Sequence, residues 1–438
     1  MKKLKFTAIL AIFSVLMIFS SWAAGTEEEE GPKKLILGIE SDFSATSLTH
    51  LIGAEYEGKG LFVDYVAPLF TQRTGIQVEV QQFPPVKGTP QKIINALAAG
   101  DHIDVFSGYG GRVSHFANSE WAYPLSFSDN FLSDFIPGFV DLLRDSRGVL
   151  YGLPQTAWGN CWVINVSLLK RIGREEMAER EAWTYDEFIE LSKEVKKLGS
   201  DYYGTFLFAG DASGDYQTLS LISGFGFELI NGGSIAANSP AGVEALTFLK
   251  SLVDSGLAIP GPNALTDAQM YPMWMSQKVL AMGYTWGAPV NAAAGDPTAG
   301  YEPFEAKIIS WPHKSTIPGG KSGVGHNAAW IPKGSYSEEA LALLKFITST
   351  EIQELFSWYG RFPSRKSVKS VLVDNIHWKT VKTNIAKYGN MDLGMGLQQY
   401  PGLRAAWNAA LQGLYSGELS PQQAVAQYES EGLQLLNE

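Results

Sequence analysis

Twelve tryptophans, together with carboxylates and arginines set beside glycine-rich turns, are the residues of this 438-residue chain best suited to chemistry. The chemistry they suit is recognition without bond breaking. An indole offers a flat apolar face with a polar edge, which fits the C–H face of a pyranose. The hydroxyls on the rim of such a solute need a carboxylate, which accepts two of them, and an arginine, which donates in a planar fork. Covalent and metal chemistry are poorly served. Cys161 is the only cysteine; it has no disulfide partner and no nucleophile motif around it, and it reads as a small buried hydrophobe. The six histidines are scattered without metal-ligand spacing, so neither a metal nor a cofactor is expected. Gly319-Gly320-Lys321-Ser322 ends like a phosphate-cradling loop, but Ser315 stands where the upstream glycine is required.

The elements that must position such residues follow from apolar spacing. Residues 35–39 form a short apolar run suited to a buried strand, and 58–74 carry Leu61, Tyr65, Leu69 and Phe70 at helical spacing before Gly75. A second strand is read at 77–80, a helix at 89–99 closed by Gly100, and a third strand at 104–107. This alternation implies an α/β fold with a mostly parallel sheet and helices on both faces, in which ligands bind beyond the carboxyl ends of the strands. Those ends supply Glu40 or Asp42, then Gln82, then Tyr109 and Arg112. Farther on, 183–198 reads as an amphipathic helix in which Thr184 and Glu187 make a capping box. Residues 241–255, 337–348 and 401–415 are also helical, the last ended by Gly417, while 295–300 and 318–325 read as loops. No internal repeat is visible, which argues against solenoids and propellers.

Hydrophobic residues make up 45% of the chain and charged residues 18%, a balance that requires a folded core. At about 150 residues per domain the length favours two or three units, and two are taken because no linker divides the chain further. The net charge of −11 excludes nucleic acid as a partner, because that needs a basic face. Lys2, Lys3 and Lys5, the apolar run 6–19, and the small residues Ser21, Ala23 and Ala24 read in order as a signal peptide, 1–23, cleaved after Ala23. An uncleaved anchor is the competing reading, and the charged-apolar-small order disfavours it. Removal takes away three lysines and no acid, leaving −14 on the mature chain. Residues 24–32, with Glu27 to Glu30, are an acidic flexible start. No lipid-acceptor cysteine follows the signal.

The segment GVLYGLPQTAWGNCWVINVSLLKRIG at 148–173 resembles the central motif of the family-one extracellular solute-binding proteins of ABC importers, of the carbohydrate, maltose-binding-protein-like type. TGIQVEVQQF at 74–83, KIINALAAGDHIDVFSG at 92–108 and WTYDEFIELSKEV at 183–195 stand in that family's order and spacing. The likeness continues through GVGHNAAWIPKGSYSEEALALLKFITS at 323–349 and 401–436, so it covers nearly the whole mature chain. Each motif is loose, and the ordered set carries the resemblance. One departure is Ile164 before Asn165, where the family often has tyrosine.

The resemblance implies a two-lobed, type II-like periplasmic-binding-protein fold with ligand in the cleft between lobes. Crossings fall near 154–158, 323–328 and 388–397. Lobe one is then 33–153 plus 326–390, and lobe two 154–325 plus 391–438. On that fold Trp158 sits at a hinge, followed by Gly159, Asn160 and Cys161, and Trp286 sits in the loop GYTWGAPVN. Trp407, six residues after Pro401, matches a stacking position, although Leu403 and Leu411 at i−4 and i+4 also suit a core role. Asp211 or Asp215 would supply acid from lobe two, and Arg361 in WYGRFPSRKSV would reach the cleft or pair on the surface.

The implied function is capture of a mono- or oligosaccharide by hinge closure, with delivery to the permease subunits of an ABC importer, and no catalysis. A micromolar complex needs about 8 kcal/mol. A monomer is expected. Because a freely diffusing carrier serves a transporter only if it is confined, the expected compartment is the periplasm. Two rivals stay open. Glu40, Asp42 and Asp211 with aromatics could hold a polyamine, or the cargo could be a peptide. An exported carbohydrate-active enzyme would share the signal peptide, the aromatics and the acidity, but it needs two carboxylates flanking the scissile bond. A purely structural envelope protein fits poorly with a chain that lacks repeats.

Overall fold

The structure is a computed structural model and describes residues 33–40, 60–83, 91–145, 147–211, 214–358, 361–370 and 372–437. The expected signal peptide, the acidic segment 24–32 and Asp42 lie outside the described residues.

Six strands build the first sheet: β1 (Lys34–Ile39), β2 (Gln77–Gln82), β3 (Val105–Tyr109), β4 (Leu153–Gly159), β11 (Val324–Trp330) and β12 (Phe362–Pro363). Their order is β12-β4-β11-β3-β1-β2. β5 (Cys161–Asn165), β6 (Ala182–Thr184), β9 (Ala281–Tyr284) and β10 (Ala306–His313) make the second, in the order β6-β10-β5-β9. β7 (Ile230–Asn231) and β8 (Ser234–Ile235) pair as a small hairpin.

The N-terminal alternation matches the apolar pattern closely. β1 pairs in parallel with both β2 and β3 and buries Leu37 and Ile39 completely. A π-helical turn at Phe62–Val66 runs into the helix Ala67–Thr74, which Gly75 ends at φ 74°, a left-handed conformation that costs a glycine nothing. The sheet is not mostly parallel, however. β11 lies antiparallel to both β3 and β4, and β12 antiparallel to β4. In the second sheet β5 is antiparallel to both of its neighbours. The reason is connectivity. β4 ends at Gly159 and β5 begins at Cys161 in the other sheet, so β11 re-enters the first sheet from β10 without the crossover helix that a parallel pair needs.

Each sheet has its own apolar core. Leu37, Phe106, Trp330 and Leu344 belong to the first, and Trp162, Trp183, Phe188, Leu249 and Trp407 to the second. A third, smaller cluster joins Ala157 and Phe362 of the first sheet to Val163 and Ile308 of the second and to Trp378. Trp378 stands on the helix Ile376–Tyr388, which also donates from Lys387 and Tyr388 to Glu181 and places Asn384 3.1 Å from the Ser310 hydroxyl. That helix therefore leans on the second sheet as well as on β4.

Trp183 departs from its expected place at a helix start. It lies in β6, fully buried, with its indole N–H donating to Met177 O at 2.9 Å. The helix starts two residues later, at Tyr185–Lys196, because extended Thr184 caps it. The Glu187 N–H donates to Thr184 Oγ1 at 3.2 Å, and the Thr184 N–H donates to the Glu187 carboxylate at 2.8 Å. Thr184→Ala removes the cap and should destabilise the protein by about 1 kcal/mol. Urea unfolding measures this, and an unchanged midpoint would count against the capping box as a stabilising element.

Candidate functional site

The carboxyl ends of β1 and β3 converge on one cluster. Gly108 makes room for Glu40: a Cβ there would lie 2.7 Å from the Glu40 Cδ. Glu40 can therefore fold back over β3, where its Oε2 accepts the Tyr109 backbone N–H at 2.8 Å and its Oε1 accepts an Arg112 Nη1 hydrogen bond. On β4, Trp158 lies over β11 at Gly325, where a Cβ would come 2.4 Å from its Cζ2. Its ring centroid is 5.9 Å from that of Tyr109, and the Arg361 guanidinium stands 5.4 Å from the Trp158 centroid. Burial pushes the Arg361 pKa down to about 10.

The facing wall comes from two other segments. The helix Gly214–Ile222, packed on β9 and β10, brings Asp215 and Tyr216. The first turn of the helix Tyr400–Ser416 brings Tyr400 and Arg404, one turn apart on one face. Arg404 grips Asp215 bidentately, Nε to Oδ2 at 2.5 Å and Nη2 to Oδ1 at 2.9 Å. Its guanidinium is 5.3 Å from the Tyr216 ring centre and 5.7 Å from that of Tyr109.

Three phenol hydroxyls meet between these walls. Tyr109 reaches the Tyr400 hydroxyl at 2.5 Å, hydrogen-bonds with the Tyr216 hydroxyl, and lies 3.2 Å from the Met395 sulfur. Burial raises the pKa of all three phenols, so they stay protonated at neutral pH as donors and acceptors. Burial works against the Arg404 charge, but Asp215 and the tyrosines outweigh it and hold the guanidinium well above its ordinary value. Two carboxylate–arginine pairs and three neutral hydroxyls thus meet beside the rings of Tyr109 and Trp158.

Of the residues singled out from sequence, Glu40, Tyr109, Arg112, Trp158 and Asp215 stand in this cluster, and Arg361 borders it. Gln82, Asp211, Trp286 and Trp407 lie apart. Gln82 is exposed at the end of β2. Asp211 is buried and accepts the Asp267 N–H at 3.3 Å. Trp286 is buried in the third cluster. Trp407 has no exposed surface: Phe227 stacks on it with centroids 5.6 Å apart and Tyr428 meets it edge-on. The i−4 and i+4 leucines point to that core position. Tyr216, Met395, Tyr400 and Arg404 were not singled out. Tyr400 and Arg404 carry a usable signal, two polar-tipped residues four apart at a helix start, which stands out once that turn is known to face β3.

The Cys161 thiol is buried, its pKa raised by burial, and it donates to Tyr284 O at 3.3 Å. Among the described residues no group of three His, Cys, Asp or Glu is placed to hold a metal ion, and no helix is long and apolar enough to cross a membrane.

Comparison with known proteins bears on the family and the fold of this chain. Binding proteins of Brucella abortus strain 2308 and Brucella suis biovar 1 strain 1330 are 26% identical to it over 273 residues, 61% of this chain; the chain spans 63% of the length of these curated relatives. The GacH receptor of Streptomyces glaucescens, solved unliganded and in complex with acarbose, superposes with a TM-score of 0.74 at 22% identity, over 93% of this chain and 100% of that one. An ABC transporter solute-binding protein of Thermotoga lettingae bound with alpha-D-tagatose gives 0.73 at 21%, over 92% and 100%. An ABC substrate-binding protein of Listeria monocytogenes in complex with cycloalternan gives 0.72 at 16%, over 93% and 100%. The fold is thus the two-lobed α/β fold of solute-binding proteins. Residues 66–383 match the model of one sequence family, and the chain belongs to that family, the bacterial extracellular solute-binding proteins.

Proposed function

We propose that this protein is the substrate-binding component of an ABC importer, which captures a sugar between its lobes and delivers it to the membrane permease on closure. The observation that carries the reading is the convergence of Tyr109 and Trp158 from the first sheet with Tyr216, Tyr400 and Arg404 from the opposite wall. Both walls must be present for the site to exist, so a solute that touches both favours the closed arrangement by its differential affinity. The sugars held by the solved relatives, acarbose, alpha-D-tagatose and cycloalternan, support the same class of cargo. A polyamine would need unpaired acids, whereas Glu40 and Asp215 are each paired with an arginine.

In this reading residues 33–159 plus 324–390 form one lobe and 160–323 plus 391–438 the other, the expected boundaries at 153 and 326 moving because β4 and β11 both pair within the first sheet. The separate apolar cores around Phe106 and around Trp162 support that division. The ligand contacts are Glu40, Tyr109, Arg112, Trp158, Asp215 and Arg361 from the residues read in sequence, with Tyr216, Tyr400 and Arg404 added. The protein is exported by removal of residues 1–23, works as a monomer in the periplasm, uses no cofactor and turns nothing over.

The test is a panel of mono- and oligosaccharides, amino acids, peptides and polyamines, read by thermal unfolding of the mature chain and by recovery of the ligand. One sugar class at about 100 times its Kd should add about 2.7 kcal/mol of stability and come back intact. A shift from polyamines alone would replace the cargo, and a cleaved sugar would make the protein an enzyme.

Two variants sharpen the reading. Trp158→Ala should weaken sugar binding at least tenfold, about 1.4 kcal/mol, with little change in unfolding; undiminished affinity by calorimetry would remove Trp158 from the site. Arg404→Met leaves Asp215 buried without its partner and should cost about 3 kcal/mol of stability as well as binding. A Tm equal to that of the parent would show that the pair is not needed to hold the wall.

A further inference from the structure

Beside β4, β12 and the helix Ile376–Tyr388 lies a cavity of about 620 Å³. Its floor is apolar: Phe139, Ala157, Val324, Phe362, Trp378 and Ile385 line it. Ile136 and Val373, two of the few large apolar side chains the molecule exposes, stand at its walls at 38% and 54% exposure. The volume falls within the range of sites that hold small organic molecules.

The charge around it is one-sided. Arg365, Lys366, Lys369 and Lys382 are lining residues, and no described lining residue is acidic, on a chain whose net charge is −11. Arg365 is engaged with Asp134 and Thr348 O, and Lys366 donates to Ser133 O at 2.7 Å. Lys369 and Lys382 make no ion pair among the described residues, and the Lys382 ammonium stands 4.5 Å from the Trp378 ring centre. Trp378 adds an independent sign of a missing partner. It is 2% exposed and lines the cavity, yet its indole N–H has no hydrogen-bond acceptor among the described residues. A buried donor left unpaired is costly, and an acceptor atom of a bound molecule would relieve it.

We propose that this cavity is a second ligand site, distinct from the sugar cleft, which takes a small amphipathic anion: an alkyl or aryl body in the apolar floor and a carboxylate toward Lys369 and Lys382. The sugar site is made of neutral hydroxyls and internally cancelled charge, whereas this one is apolar with uncancelled cations, so the two select opposite chemistries. Trp158 lines the cavity and also stands 5.9 Å from Tyr109.

Calorimetry of the mature chain with decanoate tests the proposal, with decanol and decyltrimethylammonium as neutral and cationic controls of the same body. Decanoate should bind one to one and at least tenfold more tightly than either control. The double variant K369E/K382E, at two exposed positions, should abolish that preference, and Ala386→Trp, which fills the cavity from its lining, should abolish binding. Arg404→Met should leave decanoate binding in place while sugar binding falls, which separates this site from the cleft. Equal affinity for the three amphiphiles, no decanoate binding, or binding that survives both sets of substitutions would overturn the proposal.

Discussion

The antiparallel pairing of β4 with β11 is the constraint on which the rest of the molecule depends. These strands bind each other from Leu153 to Gly159 and from Val324 to Ala329. One residue past β4 the chain enters the second sheet as β5, and β11 receives it back from β10. The backbone hydrogen bonds of this pair hold together the two strands that adjoin the passages of the chain between the sheets. They also set Trp158 over Gly325, because no side chain there competes for the space. His326 sits inside the same ladder, fully buried beside Phe139, and burial drives its pKa down to about 4, so it is neutral at physiological pH. An uncharged ladder with apolar neighbours on one face and the aromatic cluster on the other is a stable pivot.

Electrostatics then decides what the two faces of that pivot can hold. On the cluster side both carboxylates have an arginine within hydrogen-bond reach, Glu40 with Arg112 and Asp215 with Arg404. A buried charge is tolerable only when so paired. The pairs leave polar groups oriented and the net charge near zero, which favours hydroxyls over ions. At the apolar hollow Lys369 and Lys382 are exposed, while Arg365 is buried and paired with Asp134. The cluster and the hollow are therefore environments of different character.

Much of the local structure was legible in the sequence because it is governed by neighbours in the chain. Apolar spacing located β1 to β3 and the helices between them, Gly75 and Gly417 marked helix ends through their left-handed backbones, and the Thr184–Glu187 box set a helix start. Trp183 was misplaced by two residues because a buried three-residue strand and a helix start share the same composition. Glu40, Tyr109 and Arg112 could be nominated because strand ends in an α/β sheet share one edge.

What the sequence by itself determined was the alternation of elements, the acidity, the absence of metal and nucleophile spacing, and the ordered motifs of a solute-binding family. Only the tertiary structure decided that Tyr216, Tyr400 and Arg404 face Tyr109, that Trp407 is core, and that β11 runs against β3. The physical reason is range. Helix caps and strand periodicity are set over a few residues, whereas the tyrosine cluster joins positions 107 and 291 residues apart, and a separation of that size leaves no periodic trace in the chain.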